Sequence, residues 1–227
     1  GLKSINTKFD STLSYTGLKE CIANGVTEPK SRAYLNVNFA LFRVLIPSLY
    51  SALPENTFTF DIESDTDTRV TYLLVMHKKL FAKAQLRGVS VLPEARDIMT
   101  LYYNADDDAS VTGLPYGDWS GICGGGGYYM TAREMAAVNA YFQHSEDILS
   151  NESKQIMKDN RIGLDVASNT SEKYGKYYGK GGDIANGAGQ GVKAQITLFP
   201  NGVEIVVIMN SQGTTFKDGA DRSEEHV

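Results

Sequence analysis

The sequence is poor in cysteine and histidine and has no long apolar run, and each shortage removes a class of function. Cys21 and Cys123 are its only cysteines. They lie far apart without a C-x-x-C neighbour, so neither a zinc ribbon nor a thioredoxin-like redox pair is supported. They read as buried thiols, with a disulfide between them left open. The three histidines, His77, His144 and His226, show no H-E-x-x-H or paired spacing, so no metal and no cofactor are expected. The apolar stretches at 41–53 and 203–209 fall short of the roughly 20 residues a bilayer requires, so no transmembrane segment is expected. Residues 2–14 hold no apolar core of the kind a signal peptide carries, which leaves the compartment undetermined. Basic clusters are missing as well: 22 Lys and Arg stand against 27 Asp and Glu, a formal net charge of −5. With the cations scattered, nucleic acid is not an expected partner.

What remains is an ordinary globular composition. The chain has 227 residues, 42% hydrophobic and 22% charged, enough to bury a core as one domain or two intimate ones. Residues 1–13 show no clear periodicity. Leu18, Ile22 and Val26 suggest a short helix that ends near Gly25. Between 38 and 53, Phe39, Phe42, Val44, Leu45, Leu49 and Leu53 stand mostly at helical spacing, predicting a buried helix disturbed at Pro47. Over 71–86, Leu73, Leu74, Val75, Leu80 and Phe81 predict one apolar face, with Lys78, Lys79 and Lys83 turned to solvent. From 93 to 127 the pattern dissolves into loop containing the acidic tract Asp106 to Asp108, Pro115 and the glycines Gly124 to Gly127.

Regular structure returns at Thr131 and Glu134, whose T-x-x-E spacing is a capping box. The helix it opens carries Met135, Val138 and Phe142 on one face. A second helix is expected over 151–158. The period then changes: 192–199 and 203–209 are β-rich runs separated by Pro200, Asn201 and Gly202, a strong hairpin signal. Helices first and an antiparallel hairpin last predict an α+β fold, helices packed on an antiparallel sheet. The helical part spans roughly 15–160 and the sheet part roughly 174–210.

Two short segments carry the candidate chemistry. The first is Tyr34-Leu35-Asn36, a Y-x-N tripeptide ahead of the apolar run from Asn38. Tyr102-Tyr103-Asn104 satisfies the same pattern in a chain with 13 tyrosines, so alone the tripeptide also reads as structural. The second is Tyr178-Gly179-Lys180-Gly181-Gly182, a K-G-G predicted on an edge strand. Glycines there let a substrate backbone approach the sheet, and a lysine supplies a cation for an anionic group or a developing oxyanion. A flexible surface loop is the competing reading. Gly124 to Gly127 precede a helix and could cradle an anion, but they lack the G-K-[ST] of a P-loop; a tight turn is the competing reading. Trp119, Tyr116 and Tyr128 are candidates to line a cleft, against the commoner fate of aromatic packing.

Taken together, the ordered Y-x-N and K-G-G resemble the second and third motifs of the serine β-lactamases and penicillin-binding proteins, which carry S-x-x-K, then Ser- or Tyr-x-Asn, then K-[TSG]-G on a strand. Their spacing is similar to that of class C β-lactamases and related esterases and D-peptidases. The flanks YLNVNFALFRVLIP and YYGKGG, the glycine-rich turn with its following helix, and the FPNG hairpin extend the likeness over most of 15–210. The resemblance implies one partial β-lactamase-like domain over 1–227 and a hydrolase working through an acyl-enzyme on an ester, a β-lactam or a D-amino-acid peptide. In that scheme Tyr34 is the proton acceptor or relay, Asn36 positions substrate through its amide, and Lys180 is the neighbouring cation that a phenol needs to act as a base. Gly181, Gly182 and the backbone N–H of Asp183 form the oxyanion side, with Trp119 and Gly125 at the cleft. A periplasmic or extracellular bacterial protein is the associated setting.

The sequence departs from the family at its first motif. No Ser-x-x-Lys occurs anywhere; Thr27-Glu28-Pro29-Lys30, Thr170-Ser171-Glu172-Lys173 and Thr214-Thr215-Phe216-Lys217 stand in the wrong order or context. The resemblance therefore implies a missing N-terminal segment carrying S-x-x-K as a partner of this chain. The alternative is a catalytically inactive binding or scaffold protein on the same fold.

Overall fold

The computed structural model describes residues 14–25, 36–53, 64–93, 101–103, 112–115, 117–166, 175–186 and 188–211. It contains helices and antiparallel sheet, an α+β architecture. The chain divides into two compact units: residues 1–93 with 117–129, and residues 94–116 with 130–227. Among the described residues no helix is long and apolar enough to cross a membrane.

The first unit is helical. α1 (Tyr15–Ala23) starts at Ser14, whose hydroxyl accepts the Gly17 N–H at 3.0 Å, and the chain leaves it through Gly25 at φ +69°, a left-handed value that favours glycine. Leu18 and Cys21 are buried, whereas Ile22 is exposed; Val26 lies outside the described residues. The run expected as one helix from 38 is two helices, α2 (Asn36–Ala40) and α3 (Phe42–Ser51). The break falls at Leu41, whose carbonyl accepts from both Val44 and Leu45, while Pro47 stays buried inside α3. The buried side also differs from the expected one. Val37, Ala40, Leu41 and Val44 join Leu18 and Cys21 in one cluster, and Phe42, Leu45, Leu49 and Leu53 are exposed.

α4 (Asp65–Met76) begins earlier than the apolar pattern predicts, because Ser64 caps it by accepting from the Asp67 N–H and Asp65 and Asp67 occupy the positive first turn. It runs into a π-helical turn at His77–Phe81. Val75 and Phe81 are buried as expected and Leu74 is exposed, while Lys78, Lys79 and Lys83 face solvent. Tyr72, Val91 and Cys123 form a second cluster against which Trp119 and Tyr128 pack. Cys21 and Cys123 are thus buried thiols in separate clusters, not a disulfide.

A buried guanidinium fastens these helices. Arg43 is 1% exposed and donates to Asp65 Oδ1 at 2.8 Å and to the Gly121 carbonyl at 2.9 Å. Asp65 Oδ1 also accepts the Tyr15 N–H at 2.7 Å. One carboxylate therefore ties α1, α3 and α4 together.

The second unit holds the sheet. α5 (Ala132–His144) opens with the full capping box between Thr131 and Glu134. Met135, Val138 and Phe142 are half-buried, and the buried side chain is Asn139. α6 (Asn151–Asn160) follows; buried Lys154 donates to the Gln143 and Ser145 carbonyls at 3.2 and 2.6 Å, a cation where the helix dipole of α5 is negative. β1 (Leu101–Tyr102) pairs with β2 (Leu114–Pro115) within the stretch expected as loop; the tract Asp106 to Asp108 lies outside the described residues. β3 (Asp165–Val166), β4 (Tyr178–Ala185), β5 (Gly191–Leu198) and β6 (Glu204–Met209) form an antiparallel sheet in that order. The β5–β6 hairpin turns through Gly202 at φ +84°, as Pro200, Asn201 and Gly202 predict.

Candidate functional site

The K-G-G segment is a strand. β4 is not an edge strand over its full length: β3 pairs with it at Tyr178 and Gly179, and β5 pairs with it from Tyr178 to Ala185. In an antiparallel ladder the backbone polar groups of successive residues point to opposite sides, so the direction of each amide follows from two bonds. On β5, the Gly191 N–H donates to Tyr103 and, just past the strand, the Phe199 N–H donates to Val203, so odd-numbered positions face β6 and even ones face β4. The register opposes Lys180 to Ile196 and Gly182 to Ala194; these residues exchange bonds with β5. Gly179, Gly181 and Asp183 therefore direct their amides to the β3 side. Gly182 and Asp183 are exposed.

The side chains on this strand are engaged. Lys180 Nζ donates to Asp165 Oδ2 at 3.1 Å, and Asp183 pairs with Lys193 at 3.6 Å. Gly179 cannot carry a side chain, since a Cβ there would stand 2.7 Å from the Ile196 carbonyl. A Cβ on Gly182 would meet no atom within 4 Å. The first glycine is required by the sheet; the second is not.

The other expected site residues belong to the first unit. Tyr34 and Tyr116 lie outside the described residues, and Asn36 opens α2. Trp119 is half-buried against the Tyr72, Val91 and Cys123 cluster, and its N–H donates to the Val91 carbonyl at 2.9 Å. Gly125 is exposed in the turn that follows, its N–H on the Ile122 carbonyl at 2.8 Å. This turn is shaped by packing: a Cβ on Gly124 would come within 2.9 Å of backbone atoms of Phe39, Ala40 and Arg43, and Gly127, at φ +81°, lies against Trp119. Trp119 and Gly125 therefore share one turn of the first unit, and Lys180 to Asp183 share one strand of the second. Tyr128 is packed with Tyr72 and Phe81; burial pushes the Tyr72 hydroxyl up to about 12 and raises Tyr128 further, so neither is a proton acceptor near neutrality.

A pocket that the sequence reading missed lies in the second unit, where the end of α5, α6, the start of β4 and the β5–β6 turn meet. Its volume is about 260 Å³ and its walls include Gln143, His144, Lys158, Lys176, Tyr178 and Phe199. Glu204 of β6 receives His144 Nε2 at 2.7 Å and the Asn139 amide. No local motif joins these residues, since they come from four separated stretches of chain. Among the described residues, no group of three or more His, Cys, Asp or Glu side chains could hold a metal ion.

No protein-family model, curated protein or solved structure matches this chain.

Proposed function

We propose that this chain carries the base and oxyanion side of a serine acyl-transfer hydrolase of the β-lactamase and penicillin-binding type, acting on an ester, a β-lactam or a D-amino-acid peptide. The observation that carries the reading is the K-G-G strand with its amide directions. The Asp183 N–H, directly after the motif, points to the β3 side, which is where a donor to a substrate carbonyl lying along that side has to point. Its counterpart is the N–H of a nucleophilic serine in an S-x-x-K segment, which these 227 residues do not contain and which another polypeptide segment has to supply.

In the proposed reaction the serine Oγ adds to the carbonyl carbon and its proton passes to Tyr34. The oxyanion that develops receives hydrogen bonds from the two amides, a pair worth several kcal/mol in such sites, roughly 3 for a single donor. Collapse expels the leaving group, which takes the proton from Tyr34, and water then attacks the acyl-enzyme to release the acid and restore the serine. In the scheme the resemblance implies, Lys180 is the cation whose charge favours the ionised form of the phenol. Asn36 orients the substrate amide.

A second reading, an inactive binding protein on the same fold, is favoured by the absence of S-x-x-K and by the ion pair between Lys180 and Asp165, which occupies the ammonium. A fluorophosphonate and a labelled penicillin, applied to this chain and to a form extended upstream through S-x-x-K, separate the two. Covalent labelling of the extended form alone is the expected result. A gene whose upstream frame encodes no S-x-x-K, or an extended form that resists both reagents, overturns the hydrolase reading.

A further inference from the structure

We infer that the pocket between α5, α6 and the β5–β6 turn binds a small organic anion, a carboxylate carried on an aromatic or branched aliphatic body. Its polar walls are mismatched in a way that an anion corrects. Lys158 is half-buried and Lys176 lies 5.3 Å from the Tyr178 ring centroid; among the described residues neither lysine forms an ion pair. Gln143 Nε2 is buried without a hydrogen-bond partner, and a buried amide donor left unsatisfied is costly. The carboxylate in the wall, Glu204, is already taken: His144 donates to one oxygen and Asn139 to the other. Among the described residues, the walls thus carry two lysine cations outside any ion pair and one unsatisfied amide donor, while their one carboxylate is already engaged.

The remaining walls set the body of the ligand. Tyr178, Leu198, Phe199 and Pro200 are apolar surface, and Phe199 is braced by Tyr177 at 5.0 Å between ring centroids. A volume of about 260 Å³ is below the usual range for drug-sized ligands, roughly 300–1,000 Å³, and suits a single ring or short branched chain. Inorganic phosphate would satisfy the donors and leave the apolar walls wet; a neutral aromatic would do the reverse. The inference stands apart from the acyl-transfer proposal, since it needs neither Tyr34 nor a nucleophile.

The test is an NMR titration of ¹⁵N-labelled protein at constant ionic strength with sodium benzoate, benzamide and sodium phosphate as separate probes. Benzoate is expected to shift the Gln143 side-chain amide and the backbone resonances of Tyr178 and Phe199, and to bind about tenfold or more tightly than benzamide, as hydrogen bonds to a charged group imply. Lys158→Gln combined with Lys176→Gln should weaken benzoate by at least about tenfold. The inference is overturned if benzoate leaves these resonances in place, if benzamide or phosphate binds as well as benzoate, or if the folded double variant binds unchanged. The comparison among probes uses the unaltered protein, so it decides the matter even if the double variant does not fold.

Discussion

At the scale of single residues, burial and charge produce effects that apolar periodicity does not display. Burial pushes the Cys123 thiol from an ordinary 9.0 up to about 11. A group that is neutral and raised in the fold contributes stability below its unfolded pKa and loses that contribution as pH climbs toward the folded value. Urea unfolding is therefore expected to weaken by about 2–3 kcal/mol between pH 9 and 11 through this residue, and Cys123→Ala should remove that part of the slope. Asp118 is held below its usual range, first by the Ser120 hydroxyl; its contribution is present above the unfolded pKa and is lost as pH falls through the lower folded value. The Arg43 network gives the sharpest substitution. Asp65→Asn leaves a buried guanidinium short of its counter-charge, and because Asp65 is itself half-exposed the cost should be about 1–3 kcal/mol, below that of a fully buried pair. Arg43 also explains why the buried side of α3 was illegible. A charged residue at 1% exposure occupies a core position that a hydrophobic pattern assigns to solvent, and the apolar Phe42, Leu45 and Leu49 then mark the wrong face.

At the scale of elements, what was legible is what short-range chemistry dictates. The capping box at Thr131 and Glu134 opens α5 where it should, and Pro200, Asn201 and Gly202 turn β5 into β6; each signal is local and needs no tertiary knowledge. The break at Leu41 and the early start of α4 leave no mark in the apolar period, since the start is set by the Ser64 cap and not by apolar residues. The K-G-G segment was correctly expected on a strand, but the two-residue partner β3 has no sequence signature of its own. Two glycine substitutions separate packing from function at this scale. Gly124→Ala forces a Cβ onto backbone atoms at the α2–α3 junction and should cost about 1–3 kcal/mol by urea denaturation. Gly182→Ala meets open space and should leave stability unchanged or slightly raised. If acyl transfer uses this strand, the same Gly182→Ala change slows acylation while the unfolding midpoint holds.

At the scale of the whole molecule, the chain passes between its two units at 93–94, 116–117 and 129–130, so neither unit is one continuous segment. Tyr103 makes the point: its N–H donates to the Asn210 carbonyl and its carbonyl accepts from Gly191, joining the ends of β5 and β6 from the far side of an insertion. A polypeptide of residues 130–227 alone should therefore give a poorly dispersed NMR spectrum, and adding residues 94–116 in trans should improve it. The same topology limits what the sequence could say about the site. Tyr34, Asn36, Trp119 and Gly125 fall in one unit and Lys180 to Asp183 in the other, and no local sequence signal joins the two sets. The central claim, that Lys180 and its strand serve acyl transfer, is tested most directly by the second-order acylation rate constant of the S-x-x-K-containing protein with a labelled penicillin or fluorophosphonate, measured for wild type and Lys180→Ala. The account predicts a fall of about 100-fold or more with an unchanged unfolding midpoint; an unchanged rate constant would contradict it.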